Sequence, residues 1–121
     1  MLLEAYHNRA LCRFNCLKFQ EALKHATIAV EFDPSNVFLF NFLGLCNFKL
    51  DLLQEAILAF NKTIALNNAY YLAYFNRARV YILLDEHTKA LKDLQTCIYL
   101  APEYYMAYYT RFITLLSVDP K

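Results

Sequence analysis

The residues best suited to metal or redox chemistry are four cysteines, but their spacing suits neither. Only Cys12 and Cys16 are close in sequence, and on a helix this separation places both thiols on one face. A tetrahedral zinc site needs further Cys or His ligands nearby, and none follows at a motif spacing. We therefore interpret the cysteines as small buried hydrophobes in a reducing compartment, a metal or redox pair being the less favoured alternative. We predict no metal site and no other cofactor.

The remaining reactive side chains do not form a catalytic pattern. His7, His25 and His87 lie far apart, and no nucleophile stands near any of them at a motif spacing. Gly44 is the sole glycine of the chain, so a glycine-rich phosphate loop is excluded. We predict that the protein has no catalytic residues and is not an enzyme.

The composition indicates an apolar helical protein without a nucleic-acid surface. Of 121 residues, 59% are hydrophobic, whereas one is Gly and three are Pro, so few turns of the β-hairpin type are available. The formal net charge is +1 and the basic residues are scattered, whereas a nucleic-acid binder usually shows a basic patch.

The most apolar segment is too short for a membrane span. Residues 37–50 are interrupted by Asn41, Asn47 and Lys49, and a span requires about 20 apolar residues. The N-terminus lacks the pattern of a secretory signal. We therefore predict a cytoplasmic location.

The elements that position these side chains follow a repeat of 34 residues. Ala22, Ala56 and Ala90 are separated by that step, and each follows a polar pair and precedes an aliphatic residue. Other columns at the same step include Tyr6, Phe40, Tyr74 and Tyr108; Arg9, Leu43, Arg77 and Arg111; Ala10, Gly44, Ala78 and Phe112; and Phe32, Leu66 and Leu100.

These columns resemble the tetratricopeptide repeat, whose pattern is an aromatic residue, Leu-Gly, Tyr, Ala, an aromatic residue and Pro. Residues that match the pattern are Phe40, Leu43, Gly44, Ala56 and Phe60 in the second unit, and Tyr74, Ala78, Tyr81, Ala90, Leu94 and Pro102 in the third. The first unit departs from it at Arg13 and Ala26, and a fourth unit stops after one helix.

We predict an all-α fold, a helical-hairpin repeat superhelix or α-solenoid with about three and a half repeats and seven helices. The chain is then one array, with repeats over 3–34, 37–68 and 71–102 and a partial repeat over 105–121. The predicted helices cover residues 3–16, 19–32, 36–50, 53–67, 71–84, 87–100 and 103–117.

Two details of the hairpins follow from residue type. Asp51 and Asp85 fall at the turns between paired helices, where a left-handed residue is common and Asp is tolerated; Leu17 takes that place in the first unit. Gly44 and Ala78 face the alanines of the second helices, so that two backbones can approach closely.

The resemblance implies that the first helices line a concave groove that binds a peptide or helix. Most of the expected lining is apolar, which predicts an amphipathic helix or apolar peptide as the partner of a scaffold or co-chaperone-like adaptor. The predicted groove residues are His7, Leu11, Phe38, Asn41, Leu45, Phe48, Leu72, Phe75, Arg79, Ile82, Met106, Tyr109 and Ile113.

Two groove chemistries known in the family are disfavoured by residue type. A clamp for a terminal carboxylate needs Lys, Asn and Arg, whereas the matching positions carry His7, Leu11, Phe42, Leu72 and Asn76. An asparagine ladder is interrupted by Phe42 and Thr110, so Asn8 and Asn76 are predicted to bond local backbone. The recurrent Arg9, Arg77 and Arg111 are predicted to lie over aromatic neighbours and to reach solvent.

Two other functions remain as alternatives. The first alternative is a structural, self-assembling part of a longer array. The second, less favoured, is an RNA-binding helical repeat, whose groove would be basic. The apolar C-terminal helix, with Ile113, Leu115 and Leu116, makes self-association through that helix a further prediction.

Overall fold

The computed structural model describes residues 18–118, and this part of the chain is helical with short turns. The described segment opens with a helix over residues 18–32, termed α1. Five further helices follow: α2 (Val37–Lys49), α3 (Leu53–Leu66), α4 (Tyr71–Leu83), α5 (His87–Leu100) and α6 (Tyr105–Ser117).

The predicted all-α solenoid is confirmed, and six of the seven predicted helices lie within the described residues. The helix predicted over 3–16 lies outside them. The first helices of successive hairpins begin at Val37, Tyr71 and Tyr105, so the 34-residue step of the sequence is also the step of the structure. From the end of α1 onward, the observed helix boundaries differ from the predicted ones by two residues at most.

The turn within each hairpin is made by an aspartate in the left-handed region, as predicted. Asp51 has φ 65° and Asp85 has φ 63°. This conformation lets the next amide reach back to the preceding helix: Leu52 N–H donates to the Asn47 carbonyl at 2.8 Å. The corresponding bond after Asp85 has a length of 2.9 Å. Asparagine and aspartate occupy this region at a lower cost than most residues.

Each pair of helices packs closely where a small residue faces a large one. α2 contacts α3, and α4 contacts α5, along most of their length. A Cβ atom on Gly44 would lie 2.7 Å from Cδ1 and 2.8 Å from Cζ of the Phe60 ring. Gly44 therefore faces Phe60, which lies one helical turn after the predicted neighbour Ala56 and shares its buried cluster. Ala78 and Ala90 share one buried cluster, as predicted.

Two apolar clusters run through the described array. One joins Ala56, Phe60 and Val80, and therefore fuses the second hairpin with α4. The second fuses the third hairpin with α6; its buried members are Phe75, Ala78, Ala90, Leu94, Cys97 and Ala107. Because both clusters contain residues from adjacent hairpins, each hairpin completes its core against the next.

Within residues 18–118, no helix combines the length and apolarity needed to cross a membrane. The same residues contain no group of three or more His, Cys, Asp or Glu side chains that could hold a metal ion.

Candidate protein-binding face

The first helix of each hairpin carries the same four positions on one side of the helix, and we call this side the A-helix face. These positions repeat at 34 residues along α2, α4 and α6. The four columns are Phe38, Leu72 and Met106; Asn41, Phe75 and Tyr109; Leu45, Arg79 and Ile113; and Phe48, Ile82 and Leu116.

Four of the predicted groove residues are exposed apolar side chains. Phe38 is 71% exposed and touches the ring of Tyr70 edge-on, with the centroids 5.8 Å apart. Met106, Tyr109 and Ile113 are also exposed, all on α6. His7 and Leu11, which were predicted for the same groove, lie outside the described residues.

Phe75, which was predicted to line the groove and would have to be exposed to contact a partner there, is buried. It is 5% exposed and belongs to the core around α5 and α6. The cause is Tyr104, which precedes α6 and packs edge-on against the Phe75 ring at 5.2 Å. Asn41, at the equivalent position of α2, is also buried, and its contact with the following hairpin is made by Asn76 of α4. The prediction that the Phe75 side chain is exposed to solvent in the groove was therefore wrong.

The other predicted lining residues are partly buried. Leu45 and Phe48 pack against the Ala56 and Phe60 cluster, and Ile82 packs against the next cluster. Leu72 is likewise partly buried. These side chains form the floor of the face, and the more exposed residues stand above it.

Phe42 is an exposed aromatic residue that the predicted lining omitted. It is 45% exposed and follows Phe38 by four residues, so both rings lie on one side of α2. The spacing of four was the signal available in the sequence. The predicted lining omitted it because Phe42 was considered only as a mismatch to a carboxylate clamp and to an asparagine ladder.

Asn76 joins two helices instead of bonding local backbone, so the prediction for it was wrong. Its Nδ2 donates to Oδ1 of Asn41 at 3.3 Å, and both side chains are buried. A buried amide that finds a partner across a helix pair avoids the cost of an unsatisfied polar group. This bond fixes α4 against α2 beneath the A-helix face.

Among the residues of the four columns in α2, α4 and α6, Arg79 is the one that carries a positive charge. Its guanidinium carbon lies 4.7 Å from the centre of the Phe48 ring and 5.7 Å from that of Phe75. Its Nη1 donates a long bond of 3.5 Å to Asn76 Oδ1. An arginine that lies over aromatic rings gains cation–π attraction, which favours this position of the guanidinium.

Tyr104 lies close enough to Arg79 to feel its charge. Burial raises the pKa of Tyr104 above its ordinary value, and the Arg79 cation partly opposes that shift. The hydroxyl therefore stays protonated at neutral pH and can act as a hydrogen-bond donor.

A second arginine, Arg77, points to the opposite side of α4 and is neutralised there. Its Nε and Nη2 donate to the two oxygens of Asp93 at 2.8 and 2.7 Å, and Nη1 donates to Asn61 at 2.8 Å. Its guanidinium also lies over the rings of Tyr74 and Tyr81. The predicted aromatic contact is confirmed, but the head is held by a buried carboxylate and does not simply reach solvent.

Two recesses lie on that opposite side at equivalent positions of the second and third hairpins. The recess around Leu43 and Ala59 is apolar, with a volume of about 420 Å³. The recess around Arg77 and Asp93 has a volume of about 280 Å³, and its lining combines charged side chains with the rings of Tyr74 and Tyr81. Leu43 corresponds to Arg77, and Ala59 corresponds to Asp93, each at a distance of 34 residues in the sequence. The same place in two hairpins therefore holds an apolar pair in one and an ion pair in the other.

The described fold defines the class of protein: it is an array of helical hairpins that stack through shared apolar cores. Residues 71–104 match the family model of the tetratricopeptide repeat. The chain is 30% identical over 105 residues to the tetratricopeptide repeat-containing protein trd-1 of Caenorhabditis elegans. That match covers 84% of this chain and 13% of the relative.

Solved structures agree in fold. A crystal structure of MamA matches with a TM-score of 0.79 and 29% identity, over 82% of this chain and 58% of that one. The first such repeat domain of Spaghetti (RPAP3), bound to an HSP90 peptide, matches with a TM-score of 0.82 and 24% identity, over 92% and 88% of the two chains. PcrH in complex with the chaperone-binding region of PopD matches with 0.80 and 17%, over 97% and 93%.

The chain is therefore a tetratricopeptide-repeat protein. It spans about an eighth of the length of the curated relative that it matches.

Proposed function

We propose that the chain is a protein-interaction module that binds an amphipathic helix or an apolar peptide on its A-helix face. The observation that carries this proposal is the pair of exposed rings at Phe38 and Phe42, one helical turn apart on α2, Phe38 within the face and Phe42 beside it. Burying a large apolar side chain contributes about 1.5–3 kcal/mol relative to leaving it exposed. A partner that covered both rings would gain a large part of that free energy.

Relatives with the same fold support the choice of a peptide over other ligands. One solved neighbour holds an HSP90 peptide and another holds a segment of PopD. Those sequences are too distant to indicate the same ligand. For this chain the apolar lining favours a hydrophobic partner. The role is that of a binding adaptor without catalysis, and a cytoplasmic location remains a prediction from the sequence.

A peptide-display selection on the full chain tests the proposal. Helical peptides that bind the wild-type chain should lose at least about tenfold in affinity when Phe38 and Phe42 are both changed to Ser. Phe75→Ser is unsuitable for this purpose because that ring is in the core.

Phe32→Ser is the matched control, since Phe32 is 86% exposed but lies at the end of α1. Circular dichroism would establish that all variants remain folded. Undiminished binding by the folded Phe38→Ser, Phe42→Ser double variant, measured by isothermal titration calorimetry, would refute the proposal.

A second candidate function is self-association through α6. Its exposed apolar side chains include Phe112 at 59% and Leu116 at 67%, which share one side of the helix, and Met106 and Leu115 on its flanks. A second copy, or further hairpins of a longer array, would cover them. Light scattering over a concentration series should give a mass that rises above 14.2 kDa, and Phe112→Ser should suppress the rise. A wild-type mass that stays at one chain at every concentration would eliminate this candidate.

A further inference from the structure

We propose that Arg79 selects partners that carry an acidic side chain on their apolar face. The inference rests on the function proposed above and specifies the partner: an amphipathic segment with one Asp or Glu about two helical turns from its apolar anchor.

The first reason is that Arg79 is held in place before any partner arrives. The guanidinium carbon lies 4.7 Å from the Phe48 ring centre and 5.7 Å from that of Phe75, and Nη1 is 3.5 Å from Asn76 Oδ1, so these contacts restrict its position. Phe75 and Asn76 are themselves buried, so the support is rigid. A guanidinium that is already ordered loses less side-chain entropy when it binds a carboxylate.

The second reason is that Arg79 has no acidic partner among residues 18–118. The contrast with Arg77 is direct, because that arginine is paired with both oxygens of Asp93 at 2.7–2.8 Å. The positions equivalent to Arg79 are Leu45 and Ile113, which carry no charge. One cation within an apolar face complements one carboxylate, and charge complementarity of this kind determines which partners bind.

The apolar surface continues past Arg79 in both directions, which identifies the source of the carboxylate. Leu72 precedes Arg79 along α4 and Ile82 follows it. A partner that covers both must run past the arginine, so its carboxylate belongs to an internal side chain and not to its C-terminus.

The register follows from helix geometry. The Arg79 guanidinium lies over Phe48, which is six residues beyond Phe42 on α2. That separation is about 9 Å along the helix axis. In a helical partner, the residue seven positions from the apolar anchor lies at about this distance and on the same face.

The test is a selection from a library of random 16-residue peptides fused at both ends, so that none has a free C-terminus. Peptides enriched on the wild-type chain should carry Asp or Glu about seven residues from an apolar residue. Selection on Arg79→Gln should lose the acidic preference, and selection on Arg79→Glu should favour Lys or Arg. Arg111→Gln removes the same charge from the other side of α6, where Arg111 donates to Gln95, and should leave the preference unchanged.

Affinity measurements on one enriched peptide then quantify the pair. Glu→Gln in the peptide and Arg79→Gln in the chain should each weaken binding by about tenfold, and the two changes together should cost little more than either alone. The coupling should decrease at high salt, because partly exposed charges are screened.

The outcomes separate the two proposals. Enrichment of peptides without an acidic preference, or with one that survives in Arg79→Gln, would overturn the role of Arg79 and leave the binding face in place. Failure of the wild-type chain to enrich any peptide would overturn the binding function itself.

Discussion

At the scale of single residues, the second hairpin (α2 and α3) and the third hairpin (α4 and α5) place different residue types at one equivalent contact between their helices. Arg77 and Asp93 bridge α4 and α5, with side chains that are 20% and 6% exposed. The equivalent residues of the second hairpin are Leu43 and Ala59. A nearly buried ion pair recovers its desolvation cost only while both partners are present.

Asp93→Ala should therefore lower the free energy of unfolding by about 2–4 kcal/mol, because it leaves the Arg77 charge without its carboxylate. The double variant Arg77→Leu, Asp93→Ala reproduces the pair of the second hairpin and should recover at least about half of that loss. Urea denaturation measures both values. A double variant less stable than Asp93→Ala would contradict this account.

The buried cysteines give a prediction for alkaline pH. Burial raises the pKa of Cys97 to about 11 from an ordinary value of 9.0, so the folded state favours the neutral thiol. The unfolded chain ionises first as the pH rises, and stability should therefore fall between about pH 9 and pH 11 and be unaffected below.

The urea midpoint measured from pH 8 to pH 10.5 checks this sign. Cys97→Ala should lower stability at every pH but show a shallower alkaline decline. An equally steep decline in that variant would assign the effect to other groups, such as Tyr104, whose pKa burial also raises.

At the scale of the elements, the turns within the hairpins depend on two left-handed aspartates. Asp51 is exposed and its side chain makes no hydrogen bond or ion pair within residues 18–118, so backbone conformation decides which residue fits. Asp51→Gly should be neutral or stabilising by up to about 1 kcal/mol, and Asp51→Val should destabilise by about 1–2 kcal/mol. Thermal melts of the two variants, compared side by side, give the difference. Equal melting temperatures would contradict it.

Much at this scale could be predicted from the sequence. The three-and-four spacing of apolar residues fixes helix position, and the aspartates mark the turns, so the boundaries are nearly correct. Phe75 could not be placed by the same means. Its burial depends on Tyr104 from the next hairpin, and a helical period does not tell which of several apolar faces a neighbour will cover.

Polar partners were harder still to predict. Asn76 meets Asn41 from 35 residues away, and Arg77 meets Asp93 from 16 away. Both contacts join different helices, so no spacing along one helix indicates them. The exposed Phe42, by contrast, was within reach of the sequence, since its separation from Phe38 is a single helical turn.

At the scale of the whole molecule, stability passes from hairpin to hairpin through shared residues. Phe75 links the third hairpin to the segment before α6 through Tyr104. In an array whose units contact only their neighbours, a defect should loosen the units it joins more than those further away.

Phe75→Ser should therefore raise hydrogen exchange in α4, α5 and α6 more than in α3, and should lower global stability by about 3–5 kcal/mol. Exchange followed by mass spectrometry resolves the helices. An equal loss of amide protection in α3, α4, α5 and α6 would contradict this prediction and show that the helices unfold as one cooperative unit. Phe38→Ser, at an exposed site, serves as the reference.

Phe112 occupies the column in which Gly44 and Ala78 allow neighbouring helices to approach. At Gly44 even one added carbon atom would collide with the Phe60 ring. Any helix that lies against this side of α6 must therefore keep a larger interaxial distance than α3 keeps from α2, by roughly the thickness of an aromatic ring. A superhelix continued across α6, by this chain or by another, would change its pitch at that point.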